Sequence, residues 1–420
     1  MSGTPYLIVG ASLAGAKAAE ALRASGFDGP VVLIGAENEV PYERPPLSKG
    51  YLQGKAEREA MYVHPKEWYQ QADVDLRLGA TVTAIDRAAH KVVLADGSTV
   101  GYGKLLLTTG SSPRRLPVPG ADLDNVLYLR SVGDSDRIKA VLRSAASIAV
   151  IGAGWIGLEV AAAARTAGVA VTVLEAAELP LLRVLGREVA SVFAALHLDY
   201  GVDLRCGVQV AEITGKDGHV TGVRLGDDTV VAADAVIVGI GITPNTELAT
   251  AAGLKTGNGI TVDAQLRSSD PDIYAAGDVA SAFHPVIGKH IRVEHWANAL
   301  NQPQAAAKAM VGQPVSYDRV PYFFSDQYDL GMEYSGYVEP GGYDEVVIRG
   351  DVPGREFVAF WLGNGGRVLA GMNVNVWDVT DAVQTLVRSG RPVDSAALSD
   401  PETSLESVIS TDPNQGAAAK

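Results

Sequence analysis

The strongest constraint on this 420-residue chain is an internal repeat. Residues 9–26 and 151–168, offset by 142, agree at seven of eighteen positions: Gly10, Ala11, Gly15, Ala19, Ala21, Arg23 and Gly26 match Gly152, Ala153, Gly157, Ala161, Ala163, Arg165 and Gly168. Each copy reads as a short apolar strand, a glycine turn, a helix of about three turns closed by glycine, and a second apolar strand at 31–34 or 171–174. Strands that are apolar on both faces must be covered on both faces, which helices flanking a parallel sheet accomplish. The expected fold is therefore α/β, with two doubly wound, Rossmann-like dinucleotide-binding domains.

In the second copy, Gly152-Ala153-Gly154-Trp155-Ile156-Gly157 is a complete G-x-G-x-x-G. The first glycine allows the bend, the second lets the backbone approach a pyrophosphate, and the third lets helix and strand close together. The helix start then offers N–H donors and a positive dipole end to the anion. Glu175 stands 23 residues past the first glycine, at the end of the second strand, where a carboxylate accepts from both ribose hydroxyls and repels a 2′-phosphate. The spacing predicts a site for NADH in preference to NADPH on Gly152, Gly154, Ile156, Gly157 and Glu175.

The first copy, Gly10-Ala11-Ser12-Leu13-Ala14-Gly15, has serine in the middle place. Its Cβ narrows the approach, so the turn reads either as a second dinucleotide site or as a packing turn. Glu37, just after the strand at 31–34, favours the first reading. So does Ile273-Tyr274-Ala275-Ala276-Gly277-Asp278, which would set a carboxylate at the carboxyl edge of a parallel sheet.

Between and beyond the two copies the pattern changes. Alternating runs at 91–94 and 99–100 around Asp96-Gly97, and at 220–225 before Asp227-Asp228, predict hairpin insertions. Past Val320, strands rich in Tyr, Phe and Val at 343–349, 356–361 and 367–372, with a helix at 379–387, predict a C-terminal α+β domain without a nucleotide fingerprint. From about residue 395 the chain reads as soft, either ordered against that domain or disordered. The stretch 145–174 has only Glu159 and Arg165 as charges, but its glycines cut it well short of the roughly 20 helical residues a bilayer requires. No membrane span and no secretory signal are expected.

Forty-nine acids against 35 bases give a net charge of −14, which argues against nucleic acid or an anionic membrane as the main partner. Cys206 is the single cysteine, so an internal disulfide, a Cys-x-x-Cys pair and a thiolate metal cluster are all excluded. A reducing cytoplasm is the expected setting, no metal site is expected, and redox chemistry would belong to a cofactor.

Further strings add to the glycine turns: Tyr42-Glu43-Arg44-Pro45-Pro46-Leu47-Ser48-Lys49, Leu105-Leu106-Leu107-Thr108-Thr109-Gly110, Gly239-Ile240-Gly241-Ile242-Thr243-Pro244-Asn245 and Phe323-Phe324-Ser325-Asp326-Gln327-Tyr328. Together they resemble the two-dinucleotide, glutathione-reductase-like flavoproteins, and within them the ferredoxin reductases that serve cytochrome P450 and ring-hydroxylating oxygenases. The resemblance implies an FAD-binding domain over 1–112 and 244–318, interrupted by an NADH-binding domain over 113–243, with a C-terminal cap over 319–420. FAD would touch Gly10, Ser12, Ala14, Gly15, Glu37, Arg44, Lys49, Val82, Thr109, Gly110, Arg130, Asp278, Glu294, His295 and Trp296. Lys49 would lie beside the flavin N5 edge. Glu159 would sit near the nicotinamide, paired with Lys49, and Gly241 would join the NADH contacts.

Thiol-dependent relatives need one or two cysteines near the flavin, yet residues 40–49 contain none, and Cys206 reads as a small buried hydrophobe. Reduced flavin would then pass its electrons outward itself. The segment Glu294-His295-Trp296-Ala297 reads as a helix start whose amides face the flavin's negative end, with Pro303 predicting a kink or an early break. His295 is either a donor to the flavin edge or a structural hydrogen-bond partner. The implied partner is a transient iron–sulfur ferredoxin, for whose docking Arg58, Lys66, Arg114, Arg115 and Arg292 are candidates. Tyr322-Phe323-Phe324 would line the electron exit or fill the cap's core. Two other functions share this fold: reduction of small acceptors such as quinones or ascorbyl-type radicals, and redox sensing in the manner of apoptosis-inducing factor. The oligomeric state, monomer or homodimer, stays open.

Overall fold

The computed structural model describes residues 3–410. The described residues fall into two compact units, one made of those up to Pro46 with Ala56–Ser112 and Ile242–Arg319, the other of Leu47–Lys55, Pro113–Gly241 and those from Val320 onward.

The first unit is built on a five-stranded sheet in the order Ile273–Ala275, Lys104–Leu107, Tyr6–Val9, Val31–Ile34, Val74–Arg77, every pair parallel. Val31–Ile34 is buried throughout, as expected of a strand covered on both faces. Helices Leu13–Ala24 and Trp296–Met310 pack against each other, and Val82–Asp86, Lys91–Leu94 and Thr99–Gly101 form a three-stranded antiparallel excursion. Of the kink or early break expected at Pro303, the early break does not occur, because Trp296–Met310 continues through it. An interior proline costs a helix about 3 kcal/mol. Here the surrounding turns are locked by burial of Gln302, Pro303, Ala305, Ala306, Ala307 and Met310, and the Gln302 side chain accepts from the Gly277 N–H at 2.9 Å.

The second unit repeats the arrangement, with parallel strands in the order Asp203–Cys206, Ala170–Glu175, Ser147–Ile151, Ala235–Val238, Val126–Tyr128 and an excursion Val210–Lys216, His219–Leu225, Val230–Ala232. The shared arginine of the repeat shows why it recurs. The guanidinium of Arg23 donates to the carbonyls of Phe27 (2.7 Å) and Ala72 (2.8 Å), closing its own helix and the next one. Arg165 does the same with Val169 (2.8 Å) and Tyr200 (3.1 Å). Each arginine thus supplies a cation and donors to a carbonyl in the turn that follows its own helix and to the C-cap carbonyl of another.

The same unit carries a five-stranded antiparallel sheet in the order Tyr322–Gln327, Leu330–Gly336, Arg367–Val374, Glu356–Gly363, Glu345–Asp351, followed by helix Thr380–Ser389. Trp361, fully buried, donates from its indole to the Leu185 carbonyl at 3.0 Å, and Trp155 meets Phe193 and Phe323 edge-on. That carbonyl lies where helix Leu182–Asp199 is interrupted by Gly186 at φ 75°, so the indole serves a group the helix leaves unpaired. Of the two readings left open for the stretch from about residue 395, order against the C-terminal domain holds as far as Ser410: it forms helices Ser395–Ser399 and Leu405–Ser410, burying Leu398, Leu405 and Val408. The part of that expectation beyond Ser410 lies outside the described residues. Among the described residues no helix is long and apolar enough to cross a membrane.

Candidate functional site

The two glycine turns separate what the chain itself needs from what a ligand needs. A Cβ on Gly10 would lie 2.2 Å from the Thr108 carbonyl oxygen, and one on Gly152 would lie 2.5 Å from that of Gly239. A Cβ on Gly15 or Gly157 would lie 2.1 Å from the carbonyl oxygen of Gly10 or Gly152. These four glycines are dictated by packing. Gly154 is different: its φ of −81° suits any residue, and a Cβ there meets nothing within 4 Å. Nothing in the fold requires glycine at Gly154, and the open space at a helix start fits the approach of a pyrophosphate. Ser12, at the equivalent place, adopts an extended backbone and makes no side-chain cap bond, so the turn accepts a Cβ without rearrangement.

The expected acids are present and already engaged. Glu175 accepts from the N–H of Ala153 at 2.7 Å and of Ala177 at 2.8 Å, which ties the strand end to the glycine turn. A carboxylate has about four acceptor sites, so this leaves capacity for ribose hydroxyls. Glu37 accepts from Tyr42 Oη at 2.7 Å and stands 3.5 Å from Arg44. Asp278 lies in a single turn, Gly277–Val279, just past strand Ile273–Ala275, with Gly277 at φ 79°.

In the second unit Glu159 is buried at 4% exposure and is the centre of a polar cluster. Lys49 Nζ is 2.8 Å from its Oε1. Ser325 Oγ donates to the same oxygen at 2.7 Å, and Ser48 Oγ donates to Oε2 at 2.5 Å. The Lys49 ammonium also stands 5.5 Å over the Phe324 ring. A buried ion pair is tolerated where further hydrogen bonds satisfy the charge, and here two hydroxyls do so. The loop bearing Lys49 is anchored by Ser135 Oγ to the Leu47 carbonyl (2.8 Å) and by Tyr51 Oη to Asp136 (2.6 Å). The expected Lys49–Glu159 pair is thus formed. The two serines were not anticipated, although both lie in strings singled out for their resemblance: a hydroxyl has no periodicity or charge to mark it.

The remaining expected residues are distributed between the units. In the first, Val82 is buried at the start of an excursion strand, and Thr109 Oγ1 donates to the Asn245 carbonyl at 2.8 Å while Asn245 returns a bond to the Thr109 carbonyl at 2.8 Å. Gly110 beside them has φ 66°. His295 is the N-cap of helix Trp296–Met310, and desolvation pushes its imidazole down to about 4, against Asp278, so it is neutral near pH 7. In the second unit Arg130 precedes the capping box of helix Val132–Leu142. Ile156 is 45% exposed at the glycine turn, and the Gly241 carbonyl accepts from Arg114 N–H at 2.9 Å.

Arg292 is not a surface docking cation. Its side chain is 7% exposed, paired with Glu294, and donates to Asn258 at 2.9 Å and to the Asp278 carbonyl at 3.2 Å. Arg58 is paired with Glu39 at 3.2 Å, whereas Lys66, Arg114 and Arg115 are exposed. Of the aromatic run, Phe323 is core and the Tyr322 hydroxyl donates to Glu333 at 2.7 Å, which leaves Phe324 under Lys49. Cys206 pairs across the sheet with Glu175, and burial, with that carboxylate adding, pushes its thiol up.

Comparison with known proteins fits this geometry. Residues 4–303 match the pyridine nucleotide-disulphide oxidoreductase family, and residues 322–409 match the reductase C-terminal domain. The chain belongs to the pyridine nucleotide-disulphide oxidoreductase family. Members of this family use FAD and NAD(P)H. Among relatives, this oxidoreductase is 41% identical to the anthranilate 1,2-dioxygenase system ferredoxin–NAD(+) reductase component of Burkholderia cepacia, over 97% of this chain and 100% of that one. It is 39% identical to rhodocoxin reductase of Rhodococcus erythropolis, covering 96% and 94%. A solved covalent complex of putidaredoxin reductase with putidaredoxin superposes with a TM-score of 0.93 at 37% identity, covering 100% of both chains.

Proposed function

We propose that this chain takes hydride from NADH to FAD and passes electrons singly to an iron–sulfur ferredoxin that feeds a cytochrome P450 or a ring-hydroxylating oxygenase. One observation carries the reading: in a family that includes thiol-dependent reductases, the single cysteine is Cys206, on strand Asp203–Cys206 with its thiol pushed up by burial. A thiolate relay is therefore absent, and electrons must leave from the cofactor. The ferredoxin reductases of dioxygenase and rhodocoxin systems are similar over almost the whole chain, which supports a ferredoxin as acceptor. The single cysteine also suits a reducing cytoplasm.

FAD, when bound, converts the two-electron chemistry of NADH into one-electron steps. Residues 1–112 and 244–318 form its domain in this reading, 113–243 hold NADH and 319–420 form the cap. The turn Gly10, Ser12, Ala14, Gly15 would take the FAD pyrophosphate at the start of helix Leu13–Ala24, with Glu37 and Arg44 beside its adenosine and Asp278 on its sugar chain. The first amides of helix Trp296–Met310 would favour negative charge, with the neutral His295 at its cap. Val82, Thr109, Gly110, Glu294 and Trp296 complete the first-unit contacts, while Lys49 and Arg130 join them on the resemblance alone. Gly152, Gly154, Ile156, Gly157 and Gly241 would hold NADH. Glu175 would accept from its ribose and exclude a 2′-phosphate. Lys49 and Glu159 supply orientation and charge, with no covalent step.

The test is anaerobic mixing of the holoprotein with NADH and separately with NADPH, followed by a panel of ferredoxins with cytochrome c as the final acceptor. The expected result is faster bleaching of the flavin by NADH and cytochrome c reduction that depends on one of the ferredoxins. Reoxidation by a quinone and by no ferredoxin would replace this reading with small-acceptor reduction. A bleached state that persists in air would replace it with redox sensing.

A further inference from the structure

The Lys49–Glu159 pair does not explain its own geometry. A lysine ammonium on a flexible four-carbon stem has no preferred approach to a carboxylate, and a carboxylate can rotate to offer either oxygen. Both freedoms are removed by groups from elsewhere in the second unit. Glu159 comes from helix Trp155–Thr166, Ser48 from the short turn Pro45–Ser48, and Ser325 from strand Tyr322–Gln327 of the antiparallel sheet. Ser48 Oγ occupies Oε2 at 2.5 Å, so the carboxylate cannot turn that oxygen to the lysine. Ser325 Oγ shares Oε1 with Lys49, at 2.7 and 2.8 Å, and fixes the side from which the ammonium arrives. Ser325 is itself 1% exposed, Ser48 is 3% exposed, and Gln327 Nε2 donates to Ser325 Oγ at 3.2 Å. Because that bond uses an acceptor site of Ser325, its single proton is left for Glu159. Gln327 is held in turn by the buried His197 at 2.9 Å, whose ring is neutral because burial pushes it down to about 4.

We propose that Ser325 is a positioning residue: held by Gln327 and His197, it orients the Glu159 carboxylate, with Ser48 on the other oxygen, and so sets where the Lys49 ammonium stands. The C-terminal sheet then has a part in the hydride step of the reaction proposed above, on which the functional half of this inference rests. Ser325 need touch neither nucleotide, since it acts through Glu159.

The experiment compares wild type, Ser325→Ala, Ser325→Thr, Glu159→Ala and the double variant Ser325→Ala/Glu159→Ala as FAD-loaded proteins. The first readout is the rate of reductive methylation at Lys49 by mass spectrometry, referenced to Lys104, whose pairing with Asp272 at 2.6 Å the substitutions leave alone. Ser325→Ala is expected to raise labelling of Lys49 at least threefold, Ser325→Thr to restore it, and the alanine to add nothing once Glu159 is alanine. The second readout is anaerobic stopped-flow reduction by NADH, where Ser325→Ala should lower the limiting rate about tenfold and change the apparent NADH dissociation constant less than twofold. Unchanged Lys49 labelling in a folded Ser325→Ala protein would overturn the proposal. So would an equal increase with and without Glu159. If wild type itself is not reduced by NADH, the functional reading falls, while the labelling result still decides whether Ser325 positions the pair.

Discussion

The two copies of the repeat share the order of four parallel strands, an antiparallel excursion and an arginine clamp, and they differ at the middle position of the glycine turn, Ser12 against Gly154. Where the chain must approach itself, both copies keep glycine, because a Cβ would sit 2.1 to 2.5 Å from a carbonyl oxygen. Where only a ligand could object, one copy has serine and the other glycine, over open space. The difference teaches that a fingerprint mixes two kinds of requirement, and that only the middle glycine reports on what is bound.

The largest effect that would sharpen this comparison is expected at the packing glycines. Gly15→Ala and Gly157→Ala should each destabilise the protein by about 3 kcal/mol, the range of forced overpacking. Urea unfolding measures it, and a loss in one copy alone would break the equivalence.

Acid should act on both units through one neutral histidine in each, His295 in the first and His197 in the second, both pushed down to about 4 by burial. Because the unfolded chain binds the proton more readily, the stability this confers is present above pH 6.5 and is lost as pH falls towards 4. For the fully buried His197 the loss is roughly 3 kcal/mol. His197→Phe should remove most of its share of the slope in unfolding midpoints taken from pH 7 to 4.5. An unchanged slope would show that the ring is protonated in the folded protein.

Smaller losses, about 2 kcal/mol each, are expected from Arg23→Met and Arg165→Met, since each strips charged donors from helix-end carbonyls. Matched values would support equivalent clamps, and a large disparity would weaken that account. The smallest effect concerns the cofactor alone. Glu175→Gln should narrow the preference for NADH over NADPH by about tenfold, or ~1.4 kcal/mol, in paired kcat/KM measurements.

Much of this arrangement could be read before any coordinates. The repeat, the parallel sheets, the excursions and the acids at Glu37, Glu175 and Asp278 all follow from apolar periodicity and glycine spacing, which are local signals. Local signals decided least where distant residues overrule them. Pro303 does not break its helix because burial and the Gln302–Gly277 bond hold the turn, and Arg292 is drawn from the surface by Glu294 and Asn258. The helices from Ser395 exist because Leu398, Leu405 and Val408 find an apolar face to cover. Ser48 and Ser325 stayed unread because three separate segments have to meet before a hydroxyl acquires a partner.

The most direct test of the central claim, that the middle glycine answers to a ligand and not to the fold, is a calorimetric NAD+ titration of the FAD-loaded Gly154→Ser protein, with its unfolding midpoint taken alongside. The account predicts stability within about 0.5 kcal/mol of wild type and NAD+ binding weakened about tenfold, a loss of ~1.4 kcal/mol. Unchanged NAD+ affinity, with the loss appearing in stability instead, would contradict it.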